Sequence, residues 1–460
     1  MLPNREFAVS GDQLQQIAVG LVERATRAGA TAADVVVLEG DEFSTSVRLG
    51  KIENLKEAAS HVLGLRAFLG TRSASSFSSD FSRDSLERLV ERTLAMARVT
   101  SEDPASGLPE PELLGKHEGD LGLYSPDVQE LATDQRIRLA RRAEEAALGA
   151  DPRIKNSEGA CFEASVGAKV YANSLGFQGS YRSSYCALSA SPIAQSDGPG
   201  TMQRDYWYSV ARGPAALESP EAVGRKAAER ALRKLGARKI PTCRVPVVFD
   251  PETARSLLGH VFEAVRGDTV YRGASFLTGK LGQRIATQAV TILDDGLRHG
   301  GLASRPFDDE GIAATVTTVV EGGVLGNYLL NCYTARKLKL RTTGNAARGV
   351  SGPPVVGPKN FYLASGPYTP EAILRSVKQG LYVTELIGFG TNIVTGDYSR
   401  GASGMWIEKG ELVYPVEEVT IAGNLGDMLN RIEMVGSDLE FRSALAAPTL
   451  LIDGLTVAGT

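Results

Sequence analysis

The stretch 244-RVPVVFDPETARSLLGHVFEAVRGD-268 reads as a strand running straight into a helix. Val245, Val247, Val248 and Phe249 are the β-branched and aromatic residues of a strand. Asp250 has the side chain that caps a helix N-terminus, Pro251 suits the first helical position, and Glu252 complements the helix dipole. Beyond the cap, Ala254, Leu257, Leu258, Val261, Phe262 and Val265 recur at helical spacing as one stripe facing a core. A fresh folding unit therefore starts in mid-chain, behind the connecting stretch 236-GARKIPT-242. At 460 residues the chain exceeds what one core usually supports, so two domains are expected. We divide it into residues 1–236 and 237–460.

On the N-terminal side, helical periodicity appears over 11–29, 84–98, 133–149 and 219–235. The runs 35-VVVLEG-40, 43-FSTSVRLGKIENLKEA-58 and 61-HVLGLRAFLGTRSASSF-77 predict a meander turning at Gly50-Lys51 and Gly70-Thr71, and strands follow again between 158 and 213. The Pro-, Gly- and acid-rich segment 99–130 reads as a long surface connection. On the C-terminal side, 313-AATVTTVVEGGVLGNYLLN-331 and 405-MWIEKGELVYPVEEVTI-421 predict hairpins turning at Gly322-Gly323 and Lys409-Gly410. The fold class is α+β: a mixed N-terminal domain, then a β-rich C-terminal domain with a few helices.

Composition excludes several functions. Fifty basic against 54 acidic residues give a net charge of −4, and no basic cluster is interleaved with aromatics, so nucleic acid is not an expected partner. No apolar run approaches the ~20 residues of a membrane span and no signal peptide is visible, which predicts a cytoplasmic protein without a membrane partner. Cys161, Cys186, Cys243 and Cys332 form no CxxC pair, as expected of buried thiols in a reducing compartment.

His260 and Glu263 are three residues apart on the helix that opened this reading, close enough to share a metal ion. Both lie on its polar face. Zinc catalysis needs three protein ligands and an open water position, and His61, His117 and His299 are scattered singletons, so a solvated or interface-facing His–Glu contact is the plainer expectation. Asp294, Asp295, Asp308, Asp309 and Glu310 have oxygens for a hard cation, but their spacing is not that of an EF-hand and matches ordinary turns. Lys337, Lys339, Arg341 and Arg348 surround 342-TTGNAARG-349, a loop suited to an anion or a peptide carboxylate, without the Gly-Lys-Ser/Thr ending of a phosphate loop. No GxSxG elbow occurs, and the Ser-rich run 73–82 reads as an edge strand and helix cap.

Several segments carry a resemblance when taken together and in order: 273-GASFLTGKLGQRIA-286, 294-DDG-296 with 308-DDEG-311, 321-EGGVLGNYL-329, 334-TARKL-338, 343-TGNAARG-349 and 452-IDGLTVAG-459. With VRLGKIENL and GLRAFLG near the start, the chain resembles the TldD/PmbA (modulator of gyrase, peptidase U62) family. In the TldD-type subunit, an H-E-x-x-x-H helix and a C-terminal cysteine hold zinc. With the register anchored on Gly267-Asp268, Leu258 and Glu263 stand at the two histidine positions and Gly259 at the glutamate, and no cysteine follows Cys332. The departure resembles the TldE/PmbA-type subunit. It implies that this chain binds no cofactor, that zinc sits in a TldD-type partner subunit, and that unstructured peptides enter a shared cavity as added strands. A homodimer of the isolated chain is also compatible. Asp308, Asp309, Glu310, Asn331, Arg336 and Asn345 become candidate contacts to that cavity or its peptide. Two alternatives stay open: a stand-alone metal-dependent hydrolase using His260 and Glu263, and a peptide-binding module without proteolysis.

Overall fold

Alternating residues at the front of the chain build strands longer than their sequence runs suggest. The computed structural model describes residues 11–196 and 202–459. Helix α1 (Gly11–Arg27) leads into β1 (Ala32–Arg48), β2 (Lys51–Leu69) and β3 (Arg72–Ser78), followed by α2 (Arg83–Val99). The first hairpin turns at Leu49-Gly50, one residue earlier than expected, with both residues at positive φ. The cause lies far away in sequence: the carboxylate of Glu144 accepts the amides of Leu49 and Gly50 at 2.8 and 2.9 Å and fixes the turn there. The segments 35–40 and 43–48 accordingly join into one strand.

After α2 come a 3-10 turn (Pro111–Leu113), the single-turn α3 (Asp127–Glu130), α4 (Thr133–Leu148), β4 (Ile154–Asn173), β5 (Gln178–Gln195), β6 (Met202–Arg204), β7 (Trp207–Ala211) and α5 (Pro220–Leu232). The strands form a seven-stranded sheet in the order β3-β2-β1-β4-β5-β6, with β7 also on β5. Two apolar clusters cover it, one under α1 and α2, the other under α4 and α5. The segment 99–130, expected as a surface connection, is a strap instead. Leu108, Leu121, Leu123 and Val128 are buried, and the amides of Gly115 and His117 donate to Gly311 and Pro306 in the second half of the chain.

The second half opens with β8 (Cys243–Phe249), α6 (Pro251–Val265) and α7 (Gly267–Tyr271), then β9 (Ile292–Asp295), β10 (Val316–Glu321), β11 (Val324–Leu325), α8 (Cys332–Leu338), β12 (Ala346–Ala347), β13 (Val355–Val356) and β14 (Asn360–Leu363). It continues with α9 (Pro370–Ser376), β15 (Gln379–Ile387), β16 (Asp397–Glu408), β17 (Glu411–Asn424), α10 (Leu425–Leu429), β18 (Ile432–Val435), β19 (Leu445–Ala446) and β20 (Leu450–Ala458). Both expected hairpins turn where predicted, with Lys409-Gly410 and Gly322-Gly323 at positive φ, although the second arm of the latter is only the two-residue β11. One sheet runs β11-β10-β9-β14-β19 and β12 pairs β13. The other runs β17-β16-β15-β8-β20-β18, and β17 returns to pair with β20, so β8, β15, β16, β17 and β20 close a ring. The chain is α+β throughout. Helix α6 packs between the two larger sheets of this half, touching β8 and β15 on one side and β14 and β19 on the other.

Candidate functional site

Helix α6 starts as its sequence dictates: the Asp250 side chain accepts the Thr253 amide at 2.9 Å, and Pro251 occupies the first turn. Its apolar stripe enters the largest core of the molecule, and Leu258 is 5% exposed within it. The polar face is less open than expected. His260 packs edge-on against Tyr398, with centroids 6.0 Å apart, and its Nε2 lies 3.3 Å from Thr391 Oγ1 and 3.5 Å from Arg400 Nη1. A guanidinium only donates, so Nε2 accepts and the ring proton belongs on Nδ1. Burial, then the Arg400 charge, push the imidazole down to about 4, which keeps it neutral at physiological pH.

Glu263 does not meet His260, so the expected His–Glu contact is absent. Its carboxylate takes Arg266 Nη1 at 2.9 and 3.0 Å instead, and Arg266 reaches on to Asp268 at 3.2 Å. Zinc fits poorly here. A buried leucine has no lone pair, Glu263 is already neutralised, and a guanidinium beside His260 repels a cation. Among the described residues, no three or more His, Cys, Asp or Glu side chains are grouped to hold a metal ion.

Of the acidic residues expected in turns, Asp294 and Asp295 lie instead in strand β9, where pairing with β10 and β14 claims their backbone, whereas Asp308, Asp309 and Glu310 do form a turn, buried where the two halves meet. Asp308 accepts amides from Glu310 and Ile312 on Oδ1, at 2.9 and 3.0 Å, and from Ala346 on Oδ2 at 3.0 Å. Asp309 accepts the Arg348 amide at 2.6 Å and pairs with Lys169 of β4. Glu310 accepts the Cys332 amide at 2.8 Å, at the start of α8. Asn331 caps that helix by accepting the Thr334 amide at 2.9 Å, and Asn345 donates to Asp294 at 2.7 Å and to the Gly357 carbonyl at 3.0 Å. These five side chains touch protein and are at most 3% exposed. Arg336, partly exposed, grips the strap through the carbonyls of Ala105, Gly107 and Leu108 and through Glu110.

Sequence reasoning missed the centre of this junction. Asp34 of β1 is fully buried and binds both Arg66 of β2 and Arg348 of the second half. Burial raises its pKa, but the Arg348 and Arg66 charges outweigh that and hold it below the ordinary aspartate value. Arg348 is therefore committed to a carboxylate of this chain, not to the anion its loop suggested. Lys337 is likewise paired with Asp103 of the strap at 2.9 Å.

Comparison with known sequences puts this chain of two α+β halves, joined by a strap and a buried ion cluster, in one metallopeptidase class. Family models match in sequence order: PmbA/TldA metallopeptidase domain 1 over residues 33–97, the central domain over 126–235 and the C-terminal domain over 242–459. The chain belongs to the PmbA/TldD metallopeptidase family. It is 40% identical to metalloprotease PmbA of Escherichia coli O157:H7 over 427 residues, 93% of this chain and 92% of that one. To the PmbA homolog of Haemophilus influenzae it is 38% identical, covering 97% and 96% of the two chains. Among solved structures, a candidate modulator of DNA gyrase from Bacteroides thetaiotaomicron superposes with TM-score 0.91 at 28% identity, covering 98% of this chain and all of the other. TldE from Thermococcus kodakarensis shares the fold, with TM-score 0.87 at 19% identity over 96% of this chain and 100% of its own.

Proposed function

We propose that this chain is the non-metal subunit of a cytoplasmic, heterodimeric metallopeptidase of the TldD/TldE type. In this reading it completes a cavity around a zinc site carried by a TldD-type mate, and unstructured peptides are the substrates. The observation that carries the proposal is the state of α6. At the positions where the mate's helix holds its ligands and base, this chain has a core leucine, a glycine and a glutamate bound to Arg266. Such a helix still has a structural task, because it packs against strands of both larger sheets of the second half.

The test is elemental analysis of the purified chain, followed by peptide hydrolysis with and without a TldD-type mate and a chelator. We expect no stoichiometric zinc in this chain, no cleavage by it alone, and chelator-sensitive cleavage by the pair. Zinc at about one per chain that is lost in His260→Ala, or chelator-sensitive cleavage by this chain alone, would favour a stand-alone hydrolase and overturn the proposal.

A further inference from the structure

Four carboxylates meet in the buried junction, and two of them have no cation within ion-pair distance among the described residues. Asp34 is neutralised by Arg66 and Arg348, and Asp309 by Lys169. That leaves Asp308 and Glu310, 0% and 1% exposed, with no ion pair of their own among the described residues. Two unpaired carboxylates sealed from water do not both stay charged, because the cost of desolvating each anion exceeds that of keeping a proton. We propose that Asp308 and Glu310 hold one proton between them in the folded chain, and that keeping it makes the seat of the second half on the first sheet progressively less stable as pH rises towards neutrality.

Hydrogen-bond geometry says which carboxyl carries it. Both oxygens of Asp308 already accept backbone amides, three in all, and that many donors favour the anion over the acid. Glu310 has a single backbone donor, the Cys332 amide on Oε2, with the Cys332 thiol beside it, so its charged form is the less supported of the two. The surroundings favour the same assignment. From β2, Arg66 faces Glu310 but is bound to Asp34 of β1; from β4, Tyr171 is held neutral by burial; from α8, the Cys332 thiol is pushed up by burial and by Glu310 and Asp308. Arg336 acts on the Cys332 side, Arg348 is committed to Asp34, Arg305 acts on Asp308, and Lys359, also acting on Asp308, is paired with Asp294. Burial, then the Asp308 charge, push the Glu310 carboxyl up to about 7.

The step is a simple dissociation: the Glu310 O–H bond breaks, the proton goes to water, and a second negative charge stays beside Asp308. The sign follows from linkage. The folded chain keeps this proton up to about pH 7, whereas an unfolded glutamate loses it near its ordinary value of 4.5, so stability falls as pH rises between those points. Above about 7 no further loss comes from this group.

The experiment compares urea unfolding of the full chain and of Glu310→Gln, an uncharged isostere of the protonated acid, from about pH 5 to about pH 8.5. The unfolding constant of the wild type should rise relative to the variant by up to roughly tenfold per pH unit until about pH 7, then level off. Titrating groups remote from Asp308 and Cys332, His260 included, cancel in that ratio. Parallel pH dependence of the two proteins overturns the proposal. If Glu310→Gln does not fold, infrared titration of the wild type decides: loss of a protonated-carboxyl band between about pH 6 and about pH 8.5 supports it, and an unchanged spectrum overturns it.

Discussion

Asp34 is one residue with three obligations: it answers Arg66 beside it, Arg348 from the other half, and the Tyr171 hydroxyl at 3.3 Å. Removing its charge strands two guanidiniums in a dry site. Breaking a buried ion cluster by deleting one partner ordinarily costs about 3–5 kcal/mol, so Asp34→Ala should lower the urea midpoint by that equivalent, with Arg348→Ala close behind. His260 titrates in the opposite sense to Glu310. Its pKa is depressed to about 4 from an ordinary 6.5, so its neutral form favours folding, and that contribution is lost as pH falls from 6.5 through 4. His260→Gln should therefore flatten part of the acid limb of a stability profile measured by circular dichroism. The same variant should leave peptide hydrolysis by a reconstituted pair within roughly tenfold, about 1.4 kcal/mol in barrier, whereas loss of a zinc ligand would cost far more.

Among the elements, the first hairpin depends on a side chain about a hundred residues away in sequence. Glu144 accepts two amides at its turn, so Glu144→Ala should cost about 1.5–3 kcal/mol, and hydrogen exchange at Leu49 and Gly50 should quicken before that of the sheet. The strap is held by Arg336 in the same way. Arg336→Ala should expose 103–110 to limited proteolysis while the sheets stay protected. Such long-range dependence explains what the sequence made legible. Helices and hairpins came from local periodicity and turn residues, which is why α6 and the Lys409-Gly410 turn were found in place. The shift to Leu49-Gly50, the burial of the strap and the separation of Glu263 from His260 depend on partners that no local pattern specifies. The ion pair at the junction did leave a trace: Asp34 and Arg66 each interrupt an apolar run, and the hairpin between those runs sets them directly opposite in the β1–β2 register. Its third member, Arg348, carries no such mark.

For the whole molecule, the strap and the buried junction tie the halves into one cooperative unit. The two tryptophans can test this, since Trp207 lies in β7 of the first sheet and Trp406 in β16 of the ring. Single-tryptophan variants, Trp207→Phe and Trp406→Phe, should report coincident urea transitions, and a gap between them would show that the halves unfold separately. The ring also constrains how the protein is made. Its strand β8 ends at Phe249, but β20, which lies against β8 inside the same ring, begins at Leu450. At roughly 5–20 residues per second, a ribosome takes about 10–40 s to supply that partner after β8 emerges. Until β15 emerges the apolar strand has both flanks unpaired, and until β20 emerges it still has one, so the nascent chain is most open to misassembly while its second half is being translated, and the speed of elongation through that region becomes a determinant of yield.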